Sequence, residues 1–181
     1  HSKSLNITDK ITMEAWIFPV SDLGYSAIIG KRTIDGNKGG YAMQWTGEKV
    51  ESFLVIDGTW RGFRGKQSIV PKVNKWHYVV CTYDGKKMRQ YVDGELDCSL
   101  PVTGSIESVS APFTIGKSFI GSIKDRIDEV RIWNIARTEA DIQASMNSTL
   151  TGNEAGLVGY WNFDNGTAED LTANGNDGKF K

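Results

Sequence analysis

The chain has 181 residues, enough for one domain with a sizeable core, and its 21 basic and 22 acidic residues leave a formal charge of -1. That balance gives no electrostatic footprint for nucleic acid or an anionic membrane, and no apolar run approaches the roughly 20 residues needed to span a bilayer. Twenty glycines and six tryptophans against four prolines favour many short strands joined by tight turns. The sequence opens on His1 with neither an initiator methionine nor a signal peptide, so a single domain over 1–181, excised from a larger multidomain protein, is expected.

From Ile11 to Phe18, Thr12, Glu14, Trp16 and Phe18 alternate with Ile11, Met13, Ala15 and Ile17, a strand pattern ended by Pro19. Further strand patterns follow at 26–32, 40–46, 51–56, 62–67, 75–83, 88–92, 95–100, 112–116 and 126–134, most of them bounded by Gly, Asp or Asn. If Asp84-Gly85-Lys86-Lys87 and Asp93-Gly94 close successive hairpins, Cys81 faces Gln90 and Cys98 faces Arg89, a whole strand apart. Two strand spacings separate the Cα atoms by about 9–10 Å, beyond the roughly 7 Å a disulfide spans, so two free cysteines are expected.

In the stretch 126–134, simple alternation puts Ile127, Glu129, Arg131 and Trp133 on one face and Asp128, Val130, Ile132 and Asn134 on the other, so the neighbouring carboxylates diverge. Thr138-Glu139-Ala140-Asp141 then reads as a capping box with Asp in place of the usual Glu or Gln, opening a helix to about residue 147. Its apolar positions Ala140, Ile142 and Met146 are too few for a bundle and fit a lid on a sheet edge. A last strand over 156–163 and a Gly/Asn/Asp-rich loop over 164–178 complete the chain. The whole pattern is that of an all-β protein.

The ordered set Ile11-Thr-Met-Glu-Ala-Trp16-Ile, Gly40-Tyr41, Trp76-His77-Tyr78-Val79-Val80, Thr82-Tyr83-Asp84-Gly85, Tyr91-Val92-Asp93-Gly94, Ile115-Gly116 and Ile127-Asp128-Glu129-Val130-Arg131-Ile132-Trp133-Asn134 resembles the laminin G-like family of the concanavalin A-like lectin/glucanase superfamily. The resemblance covers nearly the whole chain and implies a jelly-roll sandwich of two antiparallel sheets, with one short helix near the C-terminal third. The segment Leu157 to Asp164, with Asp170 to Gly178, resembles the opening strand and loop of such domains yet comes last here. Completion of this sandwich is preferred over the start of a tandem copy, because a bare sheet edge is an aggregation liability.

The superfamily contains glycosidases, so the fold alone decides nothing about catalysis. Laying the glucanase pattern Glu-x-Asp-x-x-Glu on Asp128 puts Arg126 and Arg131 where the two glutamates belong, so no catalytic residue is assigned and no enzyme is expected. With only His1 and His77 present, neither a triad nor a zinc cluster is available, and His77 reads as structural or surface. In related carbohydrate-binding jelly rolls the acidic residue aligned with Asp128 helps hold a structural calcium; the resemblance therefore implies calcium, with Asp128 and Asp170 as candidate ligands. The alternative is that Asp128 pairs with an edge arginine and the 164–178 loop is ordinary turn chemistry.

Sugar binding uses flat aromatic rings with polar groups around them. Trp16, Trp76, Trp133 and Trp161 sit in strongly alternating strands and are assigned to the core, whereas Trp45 and Trp60 are candidate ligand-binding residues. Arg61 and Arg64 flank Trp60 and could pair with an acidic sugar or sulfate; otherwise both are solvated and Trp60 packs on a loop. Sequons at Asn6, Asn147 and Asn165 matter only for a secreted eukaryotic chain. The resulting expectation is a non-catalytic, lectin-like module of an extracellular or surface protein that binds a glycan or polysaccharide, the alternative being adhesion to a protein partner.

Overall fold

The computed structural model describes residues 2–21, 25–33, 39–47, 49–63, 69, 71–117 and 125–180. Eleven strands and one helix follow in the order β1 Ile11–Phe18, β2 Ser26–Arg32, β3 Gly40–Trp45, β4 Val50–Ile56, β5 Thr59–Gly62, β6 His77–Tyr83, β7 Lys87–Val92, β8 Glu95–Pro101, β9 Thr114–Ile115, β10 Arg126–Trp133, α1 Glu139–Ser145 and β11 Leu157–Trp161. They form an all-β sandwich of a six-stranded sheet, β11-β10-β1-β6-β7-β8, and a five-stranded sheet, β5-β4-β3-β2-β9, with every pairing antiparallel. The final strand therefore forms an edge of the six-stranded sheet, paired with β10.

Alternation accounts for the core. Ile11, Met13, Ala15 and Ile17 of β1, with Val79 and Cys81 of β6 and Val130 and Ile132 of β10, meet Ile28, Ile29, Met43, Trp45 and Leu54 of the facing sheet. Gln90 crosses this interior: it accepts from Ser52 Oγ at 2.9 Å and donates to the Val50 carbonyl at 2.9 Å and to Asp97 at 3.1 Å, so a buried amide is satisfied by both sheets. Cys81 and Cys98 are free and lie on either side of Gln90. Cys98 faces Gln90 rather than Arg89 because the β7–β8 register shifts between Gln90 and Tyr91.

Two local features correct the sequence reading. Asp57 and Gly58, both at positive φ, close a two-residue hairpin, so β5 starts at Thr59 and ends at Gly62; of the strand expected over 62–67, residues 64–67 lie outside the described ones. In β10 the pairing jumps from Glu14↔Arg131 to Trp16↔Asp128, with Glu129 at φ 50, a bulge that resets the alternation. Ile127 thereby joins Val130 and Ile132 on the core side, and Asp128 and Glu129 both leave on the outer side instead of diverging.

The outer side of the six-stranded sheet is roofed. Thr138 caps α1 with both bonds of the capping box to Asp141 in place, and Ile142 packs on Tyr78, Val80 and Tyr91. Beneath the roof Glu14 is wholly buried; its carboxylate accepts from Arg137 Nη1 at 2.7 Å, Tyr78 Oη at 2.9 Å and Trp133 Nε1 at 3.0 Å. Arg131, also wholly buried, donates to Glu129 at 2.5 Å and to the carbonyls of Ser145 and Ser148 at 3.0 and 2.6 Å. Burial works against its charge, but Tyr78, Glu129 and Glu14 outweigh it and hold the guanidinium above its ordinary range.

The 164–178 loop is organised by Asp170, which accepts from the backbone N–H of Tyr160, Thr172 and Asn176 and from the side chains of Thr172 and Asn176, all within 3.0 Å. Asn174 and Asn176 in turn donate to the Val158 carbonyl, and Leu171 N–H to that of Tyr160, so the loop satisfies the free edge of β11. Ser4 Oγ donates to Asn176 Oδ1 at 3.1 Å, which brings the two ends of the described chain side by side.

Removal of one partner from a buried, hydrogen-bonded charge set leaves the others unpaired. Glu14→Ala is expected to lower the free energy of unfolding by about 3–5 kcal/mol, read from urea midpoints; a loss below about 1 kcal/mol, the scale of an exposed pair, would contradict the role given to this carboxylate.

Candidate functional site

The outer side of the six-stranded sheet is covered by α1, and a concavity lies on the outer face of the five-stranded sheet. It has a volume of about 560 Å³, within the range of about 300–1,000 Å³ usual for small-molecule sites. Register explains its floor. Ala27 pairs with Gln44, and Gly30 with Ala42 and Thr114, so outward positions of β2, β3 and β9 carry small side chains where a β-sheet ordinarily carries large ones. One wall is the 111–117 segment, fastened by Lys31, whose buried ammonium donates to the carbonyls of Val109 and Ala111 at 2.9 and 2.8 Å.

Glycine at position 30 is not imposed by the fold. Among the described residues a Cβ built there would touch only Thr114 Oγ1, at an ordinary 3.5 Å, and its φ is not positive. Gly40 is the contrast, with φ 100 and a Cβ that would strike the Lys31 carbonyl at 1.8 Å. A strand-interior glycine marks either a bulge, such as the register shift between Ala27 and Ile29 just before it, or a place where another group approaches the sheet.

Polar groups line the opening. Gln44 donates through its amide nitrogen to the Tyr25 hydroxyl and, at 3.0 Å, to Glu51, which leaves its carbonyl oxygen as the amide's remaining hydrogen-bonding group. Thr33 Oγ1 is buried with no hydrogen-bond partner. Arg32 and Lys117 complete the polar lining, and the Arg32 guanidinium lies 5.9 Å over the ring of Trp60, which meets Phe53 edge-on at 5.2 Å.

Trp60, marked in the sequence, thus stands next to the groove through Arg32. Arg61 is exposed and, one residue along β5, points to the opposite face of the strand, while Arg64 lies outside the described residues. Trp45 is 3% exposed, belongs to the inter-sheet core and donates its Nε1 to the Ser21 carbonyl at 3.1 Å, so it presents no ring face to a ligand. The reverse correction applies to Trp76, assigned to the core but 41% exposed just ahead of β6, edge-on to Phe18 at 5.6 Å. Sequence reasoning passed over Gly30, Arg32, Thr33, Gln44, Thr114 and Lys117. The available signal was a glycine inside a strand pattern.

The two candidate calcium ligands, Asp128 and Asp170, have different surroundings among the described residues. Calcium needs six to eight oxygens, and among the described residues no group of three or more His, Cys, Asp or Glu side chains is gathered for a metal. Asp170 does not fit one: its two oxygens already accept five protein hydrogen bonds, about all that a carboxylate can take. Asp128 accepts from Glu129 N–H at 2.9 Å; burial, then the charges of Glu129 and Asp164, push its carboxyl above the usual range. At the two positions where the glucanase pattern has its glutamates the strand carries Arg126, which lies over the Phe18 ring at 5.2 Å, and Arg131, which is locked beneath α1.

Residues 1–143 match the laminin G-like family model described as the concanavalin A-like lectin/glucanases superfamily, and the chain belongs to that family. Among solved structures it is similar to a proposed carbohydrate binding protein from Bacteroides ovatus ATCC 8483, with 22% identity, a TM-score of 0.71 and 93% of this chain covered. It is also similar to the binding domain of botulinum neurotoxin serotype G, at 15% identity, a TM-score of 0.60 and 80% of this chain covered. Botulinum neurotoxin type C, whose cell entry depends on interaction with two ganglioside molecules, matches at 17% identity, a TM-score of 0.55 and 80% of this chain. The chain spans 50% of the Bacteroides protein and 38% and 37% of the two neurotoxin chains. No curated protein sequence matches it.

Gly30→Ala tests whether the groove floor serves the fold. The substitution is expected to raise the unfolding free energy by about 0.5–1 kcal/mol, the ordinary gain of Ala over Gly inside a strand; a destabilised variant would show that the glycine is structural.

Proposed function

We propose that this chain is a non-catalytic carbohydrate-binding module whose site is the groove on the outer face of the five-stranded sheet, with Trp60 at its margin. The single observation that carries the reading is the floor of Gly30, Ala27 and Ala42, kept open without steric need and bordered by the Gln44 carbonyl and the unpartnered Thr33 hydroxyl. Sugars are recognised by such convergence of a shallow cleft, hydroxyl-matching polar groups and a nearby aromatic ring.

The absence of catalysis in this reading rests on the strand where superfamily glucanases carry their acids. A retaining pair needs two carboxyls about 5–5.5 Å apart with access to substrate, and here the corresponding positions hold Arg126 and Arg131, the latter wholly buried under the helix. The similar structures supply the fold, and two of them are described as carbohydrate-binding or ganglioside-dependent. An extracellular or surface setting, where such ligands are met, goes with this proposal. This reading places no calcium in the groove, where no aspartate or glutamate is among the described lining residues.

A glycan array probed with the chain, with and without a calcium chelator, is expected to give a glycan signal that survives chelation. Affinity should fall by about tenfold or more, about 1.4 kcal/mol, in Trp60→Ala. Binding to no glycan under either condition would sink the lectin reading, and hydrolysis of a β-glucan by the chain would overturn the assignment of Arg126 and Arg131.

A further inference from the structure

We infer that the outer face of the six-stranded sheet carries a second saccharide site, which takes a neutral, hydroxyl-bearing sugar ring on Trp76 with Arg126 and Asp128 as its polar flanks. It goes beyond the groove of the opposite sheet and shares none of the described residues that line it. The pairing of neighbouring strands builds it. Phe18 pairs with Arg126, and Ile17 with His77, so one row across β10, β1 and the residue just ahead of β6 reads Arg126, Phe18, Trp76. Alternation in β1 puts Phe18 on the same outer side as Glu14 and Trp16. The roof stops short of that row: Trp16 donates its Nε1 to the carbonyl of Met146, where α1 ends, at 3.0 Å, and Trp76 beyond it is 41% exposed.

The Trp76 ring is held in place before any ligand arrives. Two residues earlier, the Asn74 N–H donates to the Pro19 carbonyl at 2.7 Å; one residue later, the His77 ring is bound to Asp93 at 2.8 Å and accepts from the Lys72 N–H at 2.9 Å. The Tyr78 N–H donates to the same Asp93 at 2.8 Å. A side chain between two fastened neighbours loses little freedom on binding. Its contact with Phe18 is edge-on, at 64° with centroids 5.6 Å apart, so at most one ring face is occupied by it. The negative face of an indole attracts the C–H groups that a sugar ring presents on its flat side.

The flanks decide the class of ligand. Arg126 is exposed, lies over the Phe18 ring at 5.2 Å and, among the described residues, makes no hydrogen bond or ion pair. Asp128, two residues along the same face of β10, accepts from the Glu129 N–H through Oδ1 and has Oδ2 left to offer. A guanidinium that only donates and a carboxylate that only accepts, set in one strand, match sugar hydroxyls, each of which does both. An anionic ligand would meet Asp128, and a cationic one Arg126. A stable protein interface buries about 1,200–2,000 Å², whereas this patch is one exposed ring and one half-buried ring between the end of α1 and the end of the sheet.

The experiment titrates the whole chain with cellohexaose, laminarihexaose, mannohexaose and, as the anionic comparison, hexagalacturonate, following the indole Nε1–H signals of its six tryptophans by NMR. The signals lost in Trp76→Phe and in Trp60→Phe identify those two rings. At least one neutral hexaose is expected to shift the Trp76 signal saturably and to bind about tenfold or more weakly to Trp76→Ala. Arg126→Gln and Asp128→Asn should each weaken it about fivefold, while Trp60→Ala leaves it within about twofold; thermal melts establish that the variants fold. A Trp76 signal unmoved by every neutral hexaose, tighter binding of hexagalacturonate than of all three, or affinity unchanged in both Arg126→Gln and Asp128→Asn overturns the inference. A Trp76 signal that shifts only as the chain's own concentration rises makes the patch a contact between copies and overturns it too. Because the groove is read separately through Trp60, a hexaose that shifts the Trp60 signal alone removes this site and leaves the groove standing.

Discussion

A carboxylate taken entirely out of water dictates much of this architecture. Glu14 sits in the middle of β1, where alternation sends Met13 and Ala15 into the sandwich and Glu14 outward, and an ion buried there is tolerable only with partners on every side. Those partners are four residues from three places in the chain: Tyr78 in β6, Trp133 and, at 4.0 Å, Arg131 in β10, and Arg137 ahead of α1. Gathering them draws α1 across the sheet, with Arg137 also bound to the Asp141 carbonyl and Ser145 hydroxyl. The helix is too short to be stable by itself, and it is held by what it covers.

That cover redistributes the functional surface. In a sandwich each sheet has one outer face, and here the six-stranded sheet spends much of its own on a buried ionic network and the apolar contacts of Ile142. The strand at which related enzymes place their acids is under this roof, its two key positions occupied by arginines. The opposite sheet carries Gly30, Ala42 and Ala27 where bulky residues would otherwise stand. One constraint, the neutralisation of Glu14, thus bears on which outer face is covered, and the proposed function places binding on the other.

Strand patterns were readable from the sequence wherever apolar and polar residues alternated, as in β1, β6 and β10, and the capping box located α1 to its first residue. What escaped depended on tertiary geometry. The bulge at Glu129 leaves no mark in the alternation of Ile127 to Trp133, since only the pairing with β1 shows that two residues of β10 stand against one of β1. Trp45, a ligand-binding candidate in the sequence, is buried at the end of β3, and Trp76, assigned to the core for its alternating strand, is exposed just ahead of β6. Burial at strand ends is decided by neighbouring segments. Trp60 was marked for its turn, but the groove beside it is assembled from β2, β3 and β9, which local pattern does not juxtapose.

The hydrogen bond from Ser4 to Asn176 has a topological meaning. Because the outermost described segments touch, the fold behaves as a nearly closed ring of chain opened at one point, and the strain of joining those ends through a short bridge would be small. The tight hairpin at Asp84 to Lys87, whose turn is held by Asp84 accepting from the N–H groups of Lys86 and Lys87, lies in another part of that ring and away from the groove. New ends made there would leave β2, β3 and β9 uncut. The groove and the order of the strands are therefore separable properties of this molecule, and the same groove can be carried by a chain that starts elsewhere.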